Sequence, residues 1–129
     1  MDGLTERLKH VASRHTLRLT HYGRKSGKQY QVTIWFVVSG QTIYLATANA
    51  NRQWVRNVKK TPNVRLSIAG ETFEGQVQCL DEPADRDRIM QLFVRKYWMF
   101  LPAFLFGRIL TGLGAIKNNT GAFEVTLNG

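Results

Sequence analysis

Two runs of alternating apolar and polar residues, separated by a glycine-containing turn, constrain the fold most strongly. The first run includes Leu17 and Leu19, the turn occupies residues 22–28, and the second run continues to residue 38. The apolar positions of the second run are Tyr30, Val32, Ile34, Phe36 and Val38. Because successive side chains of a strand point to opposite faces, alternation on both sides of a turn predicts an antiparallel β-hairpin.

The turn, Tyr-Gly-Arg-Lys-Ser-Gly-Lys, carries more positive charge than a chain reversal needs. Arg24, Lys25 and Lys28 supply three cations, and Ser26 supplies a hydroxyl group. Gly23 and Gly27 allow positive φ angles, at which successive backbone N–H groups form an anion-binding concavity. We interpret the turn as a phosphate-binding loop, with a solubilising surface turn as the alternative. It is not a Walker A loop, which needs four residues between its first glycine and its Gly-Lys-Ser/Thr ending.

Composition limits the function classes. The 129 residues form one domain by size and carry a formal net charge of +9, from 18 Lys and Arg against 9 Asp and Glu. This excess favours an anionic partner, such as a polyanionic small molecule, nucleic acid or an acidic membrane. The single cysteine, Cys79, excludes an intramolecular disulfide framework and a multi-cysteine metal site. Residues 1–14 are charged and amphipathic rather than signal-like, which predicts a cytoplasmic protein.

A second basic segment follows at residues 51–61. Trp54 and Val58 lie one helical turn apart, Pro62 ends the pattern, and residues 49–51 offer a helix N-cap. Arg52 and Arg56 lie at the start of this predicted helix, where cations oppose the helix dipole at a cost of a few tenths to about 1 kcal/mol. A bound anion would reverse the sign of this effect. The segment therefore indicates an anion site, with a solvated basic face as the alternative.

The remaining patterns complete an α+β chain. A helix is predicted near residues 2–14, further strands at residues 42–48, 64–69, 72–80 and 121–127, and a helix at residues 81–97. The order helix, three strands, helix, two strands, helix, strand predicts a small closed or split β-barrel of about six antiparallel strands with three or four helices. We expect a single domain over residues 1–129. It comprises an N-terminal helix (1–15), a barrel core with loop and helix (16–80), and an apolar segment (98–119).

Residues 98–113 are apolar but are interrupted by Pro102 and two glycines. A membrane-spanning helix needs about 20 apolar residues, so this segment is too short and too broken to span a bilayer. It is either a flap over an apolar pocket or a surface that meets a membrane or a second chain. The three histidines, His10, His15 and His21, do not have the spacing of a metal site, and we expect no metal.

Two sequence blocks resemble a known family. The first is Gly-Arg-Lys-Ser-Gly at residues 23–27, followed by a strand that ends in Trp-Phe-Val at residues 35–37. The second places Trp54, Asn57 and Pro62 before a valine-containing strand. At this mutual spacing the blocks resemble the deazaflavin (F420)-dependent nitroreductase family, split β-barrel oxidoreductases related to pyridoxamine-phosphate-oxidase-like proteins. The resemblance extends from about residue 17 to residue 77.

The resemblance implies the cofactor, coenzyme F420, and its site. The phosphate would lie on the loop at residues 24–27, the acidic tail over Arg52 and Arg56, and the ring along residues 32–35. Flavin mononucleotide is the alternative cofactor, since Tyr30 stands where the family often has an arginine. The cofactor-binding residues implied are Arg24, Lys25, Ser26, Gly27, Lys28, Val32, Thr33, Ile34, Trp35, Ala48, Asn49, Arg52, Trp54, Arg56 and Asn57.

The resemblance implies hydride transfer from reduced F420 to a small unsaturated or nitro-type compound. In such a reaction the cofactor supplies the chemistry and the protein positions the cofactor. Tyr97 is the candidate proton donor, with a core aromatic role as the alternative. The candidate substrate-binding residues are Tyr44, Trp98, Phe100 and Phe104. The competing hypotheses are a split-barrel protein that binds flavin mononucleotide, and a basic module for nucleic acid or anionic lipid. A homodimer and a peripheral membrane contact both stay open.

Overall fold

The computed structural model describes residues 2–47, 52–97 and 121–128, which form three helices and six strands. This confirms the predicted fold class and element order. In chain order the elements are α1 (Asp2–Val11), β1 (Thr16–Tyr22), β2 (Gln29–Ser39), β3 (Thr42–Thr47), α2 (Gln53–Lys60), β4 (Asn63–Ile68), β5 (Glu71–Leu80), α3 (Pro83–Tyr97) and β6 (Gly121–Leu127).

The six strands close into one antiparallel barrel in the order β1-β2-β3-β6-β5-β4, with β4 paired to β1. The predicted hairpin is present, and Leu17 faces Ile34 while Leu19 faces Val32 across it. The apolar positions of the alternating runs point inward and form the barrel core, in which Leu19, Phe36, Leu45, Leu66 and Val125 are fully buried. Closure leaves no unpaired sheet edge, and it brings residues from distant parts of the chain to each end of the barrel.

Helices α1 and α2 cover opposite ends of the barrel. At one end, the Thr5 hydroxyl of α1 accepts a hydrogen bond from Gln41, and Arg7 forms an ion pair with Glu71. At the other end, α2 inserts Trp54 against Phe123 of β6, with ring centroids 5.1 Å apart. This second end also receives the last residues of β1, the first residues of β2 and the basic loop between them. It is therefore the end that carries the candidate site.

Helix α3 packs on the outer surface of the barrel, against β2, β3 and β6. Ile89 and Phe93 contact a separate apolar cluster that includes Val37, Tyr44 and Ala122. Val37 and Trp35 both lie on the outer face of β2. Val37 is under the helix and is buried in this second cluster, whereas Trp35 remains 43% exposed. Within the described residues, no helix is long and apolar enough to cross a bilayer.

Two local expectations were wrong. The N-cap of α2 is Arg52, in an extended conformation, rather than one of residues 49–51, because the helix begins only at Gln53. Gly27 does adopt a positive φ of 71°, but Gly23 is not among the glycines that do. A Cβ at Gly23 would instead make a tight contact, 3.2 Å from the Tyr30 ring.

Candidate functional site

The basic loop between β1 and β2 is held by its own backbone. The Gly23 N–H donates to the Lys28 carbonyl at 2.8 Å, and the Gly27 N–H donates to the Gly23 carbonyl at 3.1 Å. The Ser26 hydroxyl accepts the Lys28 N–H at 3.1 Å. These three amides are therefore used inside the loop and do not face an anion. The positive side chains remain available, because Lys25 and Lys28 are exposed.

A hydrogen bond between side chains joins this loop to α2. The Arg24 guanidinium donates from Nη1 to Oδ1 of Asn57 at 2.8 Å, across 33 positions of sequence. Asn57 is 1% exposed, so the contact is anchored in the interior rather than formed by two mobile surface chains. The two basic segments that the sequence singled out therefore lie side by side. Had they been on opposite sides of the barrel, a shared anion site would have been excluded.

The start of α2 is open to an anion. Its N-cap residue, Arg52, makes no side-chain capping hydrogen bond, and the first turn contains no acidic residue. The first backbone N–H groups of a helix have no partner within the helix and carry its positive dipole end. The Arg56 N–H closes the first helical turn onto the Arg52 carbonyl at 3.2 Å, and the Arg56 side chain is exposed. Guanidinium groups and free amides thus occur together at this end of the helix.

A pocket of about 380 Å³ opens at this junction. Its lining residues are His21, Tyr30, Gln31, Val32, Arg52, Gln53 and Trp54. None of them is acidic, one is a permanent cation, and Tyr30 and Trp54 supply flat apolar surface. A pocket of this size accommodates part of a small organic ligand, and its chemistry fits one that combines a phosphate with a flat ring.

His21 is the functional candidate that the sequence analysis missed. It lies near His10 and His15 in sequence, but strand alternation places it on the inward face of β1 behind Leu17 and Leu19, and it is 3% exposed. Its Nδ1 lies 3.0 Å from Nδ2 of Asn57, and its ring stacks on Tyr30 at 5.8 Å between centroids. Burial lowers the pKa of His21 below its ordinary value. The inward register of β1 was the signal that could have identified it.

The two candidate tyrosines lie away from this pocket. Tyr97 is 1% exposed, and its hydroxyl lies 2.7 Å from the His15 carbonyl and 2.9 Å from the Phe36 carbonyl. Burial raises its pKa, partly offset by the hydrogen bond with the Phe36 backbone. Tyr44 is buried beneath α3 in the outer cluster. The structure therefore gives both side chains packing positions, and neither lines the pocket.

A lysine with an unusual pKa lies beside Tyr97. Lys96 donates from Nζ to the Phe36 carbonyl at 2.9 Å and lies 3.9 Å from the centroid of the Phe36 ring. Burial lowers its pKa to about 8. These contacts fasten the end of α3 to β2.

The other predicted site residues are distributed as follows. Of residues 32–35, Val32 lines the pocket, Ile34 points toward the barrel core, and Thr33 and Trp35 are exposed on the outer face of β2. Trp35 stacks on Tyr97 with centroids 4.3 Å apart and planes 8° from parallel. Five further predicted site residues lie outside the described part of the chain: Ala48, Asn49, Trp98, Phe100 and Phe104. Within the described ranges, no group of three potential metal ligands occurs.

A family model for F420H2-dependent quinone reductases matches residues 4–100 of the chain. The chain belongs to this family. The match covers both basic segments, the whole of α2 and five of the six strands. No curated protein sequence matches the chain significantly.

Solved structures with the same fold include three that span nearly the whole chain. The conserved hypothetical protein Rv2991 of Mycobacterium tuberculosis is 19% identical, with a TM-score of 0.76 over 96% of this chain and 79% of its own. An F420-H2 dependent reductase, FDR-A, is 18% identical, with a TM-score of 0.64 over 88% and 95% of the two chains. A protein solved as a domain-swapped dimer is 17% identical, with a TM-score of 0.63 over 97% and 98%.

Because the chain belongs to the F420H2-dependent quinone reductase family, it is an oxidoreductase whose cofactor is coenzyme F420. The residues present fit that cofactor. F420 carries a phosphate and an acidic tail at one end and a flat ring at the other. Arg52 and the uncapped start of α2 are suited to the charged end, and the partly exposed ring of Tyr30 offers aromatic surface in the same pocket.

Proposed function

We propose that this protein reduces a small, flat, electron-poor acceptor, a quinone or a nitro-type compound, with reduced F420 as the hydride donor. The observation that carries the proposal is the Arg24–Asn57 hydrogen bond, which brings the basic loop to the start of α2 beside one pocket. Family membership supports the cofactor, and the acceptor class is inferred from the exposed aromatic surface of β2.

The basic residues would hold the charged end of the cofactor. Lys25 and Lys28 provide exposed cations, Arg52 and Arg56 provide guanidinium groups, and the first amides of α2 provide backbone donors. When bound, reduced F420 supplies a hydride, and the protein contributes position and exclusion of water. Because phosphate recognition here combines fixed amides with several cations, binding should be tighter and less salt-sensitive than unspecific charge attraction.

An aromatic platform on the outer face of β2 would receive the acceptor. Trp35 is 43% exposed on one side, while its other side stacks on the buried ring of Tyr97. The hydroxyl of Tyr97 has two backbone carbonyls within reach of its single proton and accepts the Phe36 N–H at 3.2 Å, so the indole stacks on a ring that is held by hydrogen bonds. A flat acceptor gains stacking energy on such a surface, about 0.5–1.5 kcal/mol beyond the area it buries.

Equilibrium titration with F420, flavin mononucleotide and double-stranded DNA, each at low and moderate salt, tests the cofactor assignment for this chain. We expect tight F420 binding that survives moderate salt and is weakened about tenfold or more by Lys25→Ala. The matched control is Lys9→Ala, an exposed cation on α1 at the opposite end of the barrel. Tighter binding of flavin mononucleotide, or salt-sensitive DNA binding with no F420 binding, would refute the proposal.

Turnover with defined acceptors tests the reaction. Oxidation of reduced F420 is followed by its absorbance in the presence of a small naphthoquinone or a nitroaromatic compound. We expect Trp35→Ala to raise the KM for the acceptor and to leave the dissociation constant for F420 within about twofold. An unchanged acceptor KM would argue against the platform.

Exposed apolar residues support a homodimer as part of this proposal. In the described part of the chain, the large exposed apolar side chains are Trp35, Met90 and Val94. Met90 and Val94 are four positions apart and therefore lie on one face of α3. Analytical ultracentrifugation should give a dimer, which Val94→Glu weakens, whereas a monomer at micromolar concentration would exclude it.

A further inference from the structure

The orientation of the Asn57 side-chain amide is determined by Arg24. A guanidinium group only donates hydrogen bonds, so the Asn57 atom that lies 2.8 Å from Arg24 Nη1 is the oxygen. The amide nitrogen then faces Nδ1 of His21 at 3.0 Å. Because Asn57 is 1% exposed, no water competes for either position. The amide is therefore held in one of its two orientations.

This orientation in turn determines where His21 carries its proton. The Asn57 amide nitrogen donates, so Nδ1 of His21 accepts and carries no hydrogen. The ring is then neutral, with its single proton on Nε2, since an imidazolium would place an N–H against another N–H. Stacking on Tyr30, at an interplanar angle of 21°, keeps the ring from rotating away. Burial, which lowers the pKa of His21, favours the same neutral form.

The protonated nitrogen, Nε2, is not used by Asn57. His21 lines the pocket, and its hydrogen bond to Asn57 uses only Nδ1. In the described ranges, every fully buried side-chain nitrogen or oxygen has a hydrogen-bond partner. Nε2 of His21 has no hydrogen-bond partner among these residues, and the His21 side chain, although only 3% exposed, is one of those that line the pocket. An N–H donor with a fixed direction thus lies between the basic loop and Arg52.

We propose that His21 is a cofactor-contacting residue, which donates a hydrogen bond from Nε2 to a phosphate oxygen of F420, with Asn57 and Arg24 as its positioning residues. This inference rests on the proposed function. An anion gains a directed hydrogen bond from a neutral imidazole without the cost of burying a further charge. Arg24 acts twice, as a cation beside the phosphate and, through Asn57, as the group that fixes the imidazole tautomer.

Nitrogen-15 NMR of the histidine side chains tests the tautomer in the protein without cofactor. Long-range proton–nitrogen correlations distinguish a bare Nδ1 from a bare Nε2 and both from imidazolium. We expect His21 to have a bare Nδ1 and a protonated Nε2. In Asn57→Asp the carboxylate only accepts hydrogen bonds, so we expect a proton to appear on Nδ1. A protonated Nδ1 in the unmodified protein overturns the inference.

Two matched substitutions test the contact with the cofactor. His21→Gln places an amide nitrogen near the position of Nε2 and retains a donor to the pocket, whereas His21→Asn reaches only the position of Nδ1. We expect His21→Asn to weaken F420 binding about ten- to hundredfold, the range of a hydrogen bond to a charged group, and His21→Gln to restore most of it. The same deazaflavin without its phosphate tail should bind equally to both variants.

The outcomes separate this inference from the proposed function. Addition of F420 to the labelled protein should shift the His21 Nε2–H resonance. F420 binding with that resonance unmoved, or equal binding by the two variants, refutes the contact while the reductase assignment stands. If His21→Asn weakens binding of the tail-free deazaflavin as much as it weakens binding of F420, the contact is with the ring, which contradicts a phosphate acceptor. If the unmodified protein binds no F420, the proposed function fails and the contact fails with it.

Discussion

The connection between the basic loop and α2 can be broken by one nearly isosteric substitution, Asn57→Leu. Asn57 is 1% exposed and makes one hydrogen bond to Arg24 and one to His21. Leucine occupies a similar volume and cannot replace either bond. The substitution leaves the buried Nδ1 of His21 without a partner and frees Arg24, and with it the loop, from the helix.

The expected loss of stability follows from these contacts. An unpaired buried acceptor costs about 1–3 kcal/mol, and the lost bond from the half-buried Arg24 adds about 1 kcal/mol, since water replaces part of it. Asn57→Leu should therefore lower the free energy of unfolding by about 2–4 kcal/mol. Arg24→Met should lower it by about 1–3 kcal/mol, because it leaves the buried Oδ1 of Asn57 without its donor. Because the two residues share a bond, the double variant should lose at least about 1 kcal/mol less than the sum of the single losses.

Urea unfolding followed by tryptophan fluorescence measures these free energies, and F420 titration of the same samples measures the functional consequence. Lys60→Met, an exposed residue at the end of the same helix, serves as the control and should change stability by no more than about 0.5 kcal/mol. F420 affinity should fall in Asn57→Leu, since the loop is no longer held beside α2. Strictly additive losses, or unaltered F420 affinity in the single variant, would refute the reasoning.

Three further substitutions or conditions have defined outcomes. Tyr97→Phe should lower the free energy of unfolding by about 1–3 kcal/mol, because its hydroxyl is hydrogen-bonded to the backbone. Turnover with reduced F420 should be nearly unchanged, whereas a large loss of kcat at full stability would indicate that Tyr97 is a proton donor. The folded protein holds the pKa of His21 below its unfolded value of about 6.5, so the unfolded chain binds more protons between these two pKa values. The free energy of unfolding in urea should therefore fall as the pH drops below about 6.5 and stay level above it. His21→Gln should flatten this pH dependence. Gly75→Ala should prevent folding or lower stability severely, because a methyl group there collides with the Thr126 backbone carbonyl; circular dichroism of the purified variant decides this.

Local patterns were sufficient to predict most of the architecture. The hairpin of β1 and β2, the strand pairs after it and the three helices follow from apolar periodicity and turn residues, because these signals act over a few residues. The pattern failed at the start of α2, where Arg52 rather than an asparagine is the N-cap, and at Gly23, which does not adopt a positive φ and lies close to the Tyr30 ring. Both depend on neighbours that the local sequence does not specify.

Residue alternation along the chain is enough to assign strand positions to the barrel interior or to solvent, and the two clusters of positive charge are visible in the same way. That the clusters meet, through a 2.8 Å contact between Arg24 and Asn57, and that His21 contacts the same Asn57 side chain, emerges only from the folded barrel. The reason is physical: alternation assigns a side chain to a face, but barrel closure and strand register decide which faces become neighbours. That geometry depends on all six strands together.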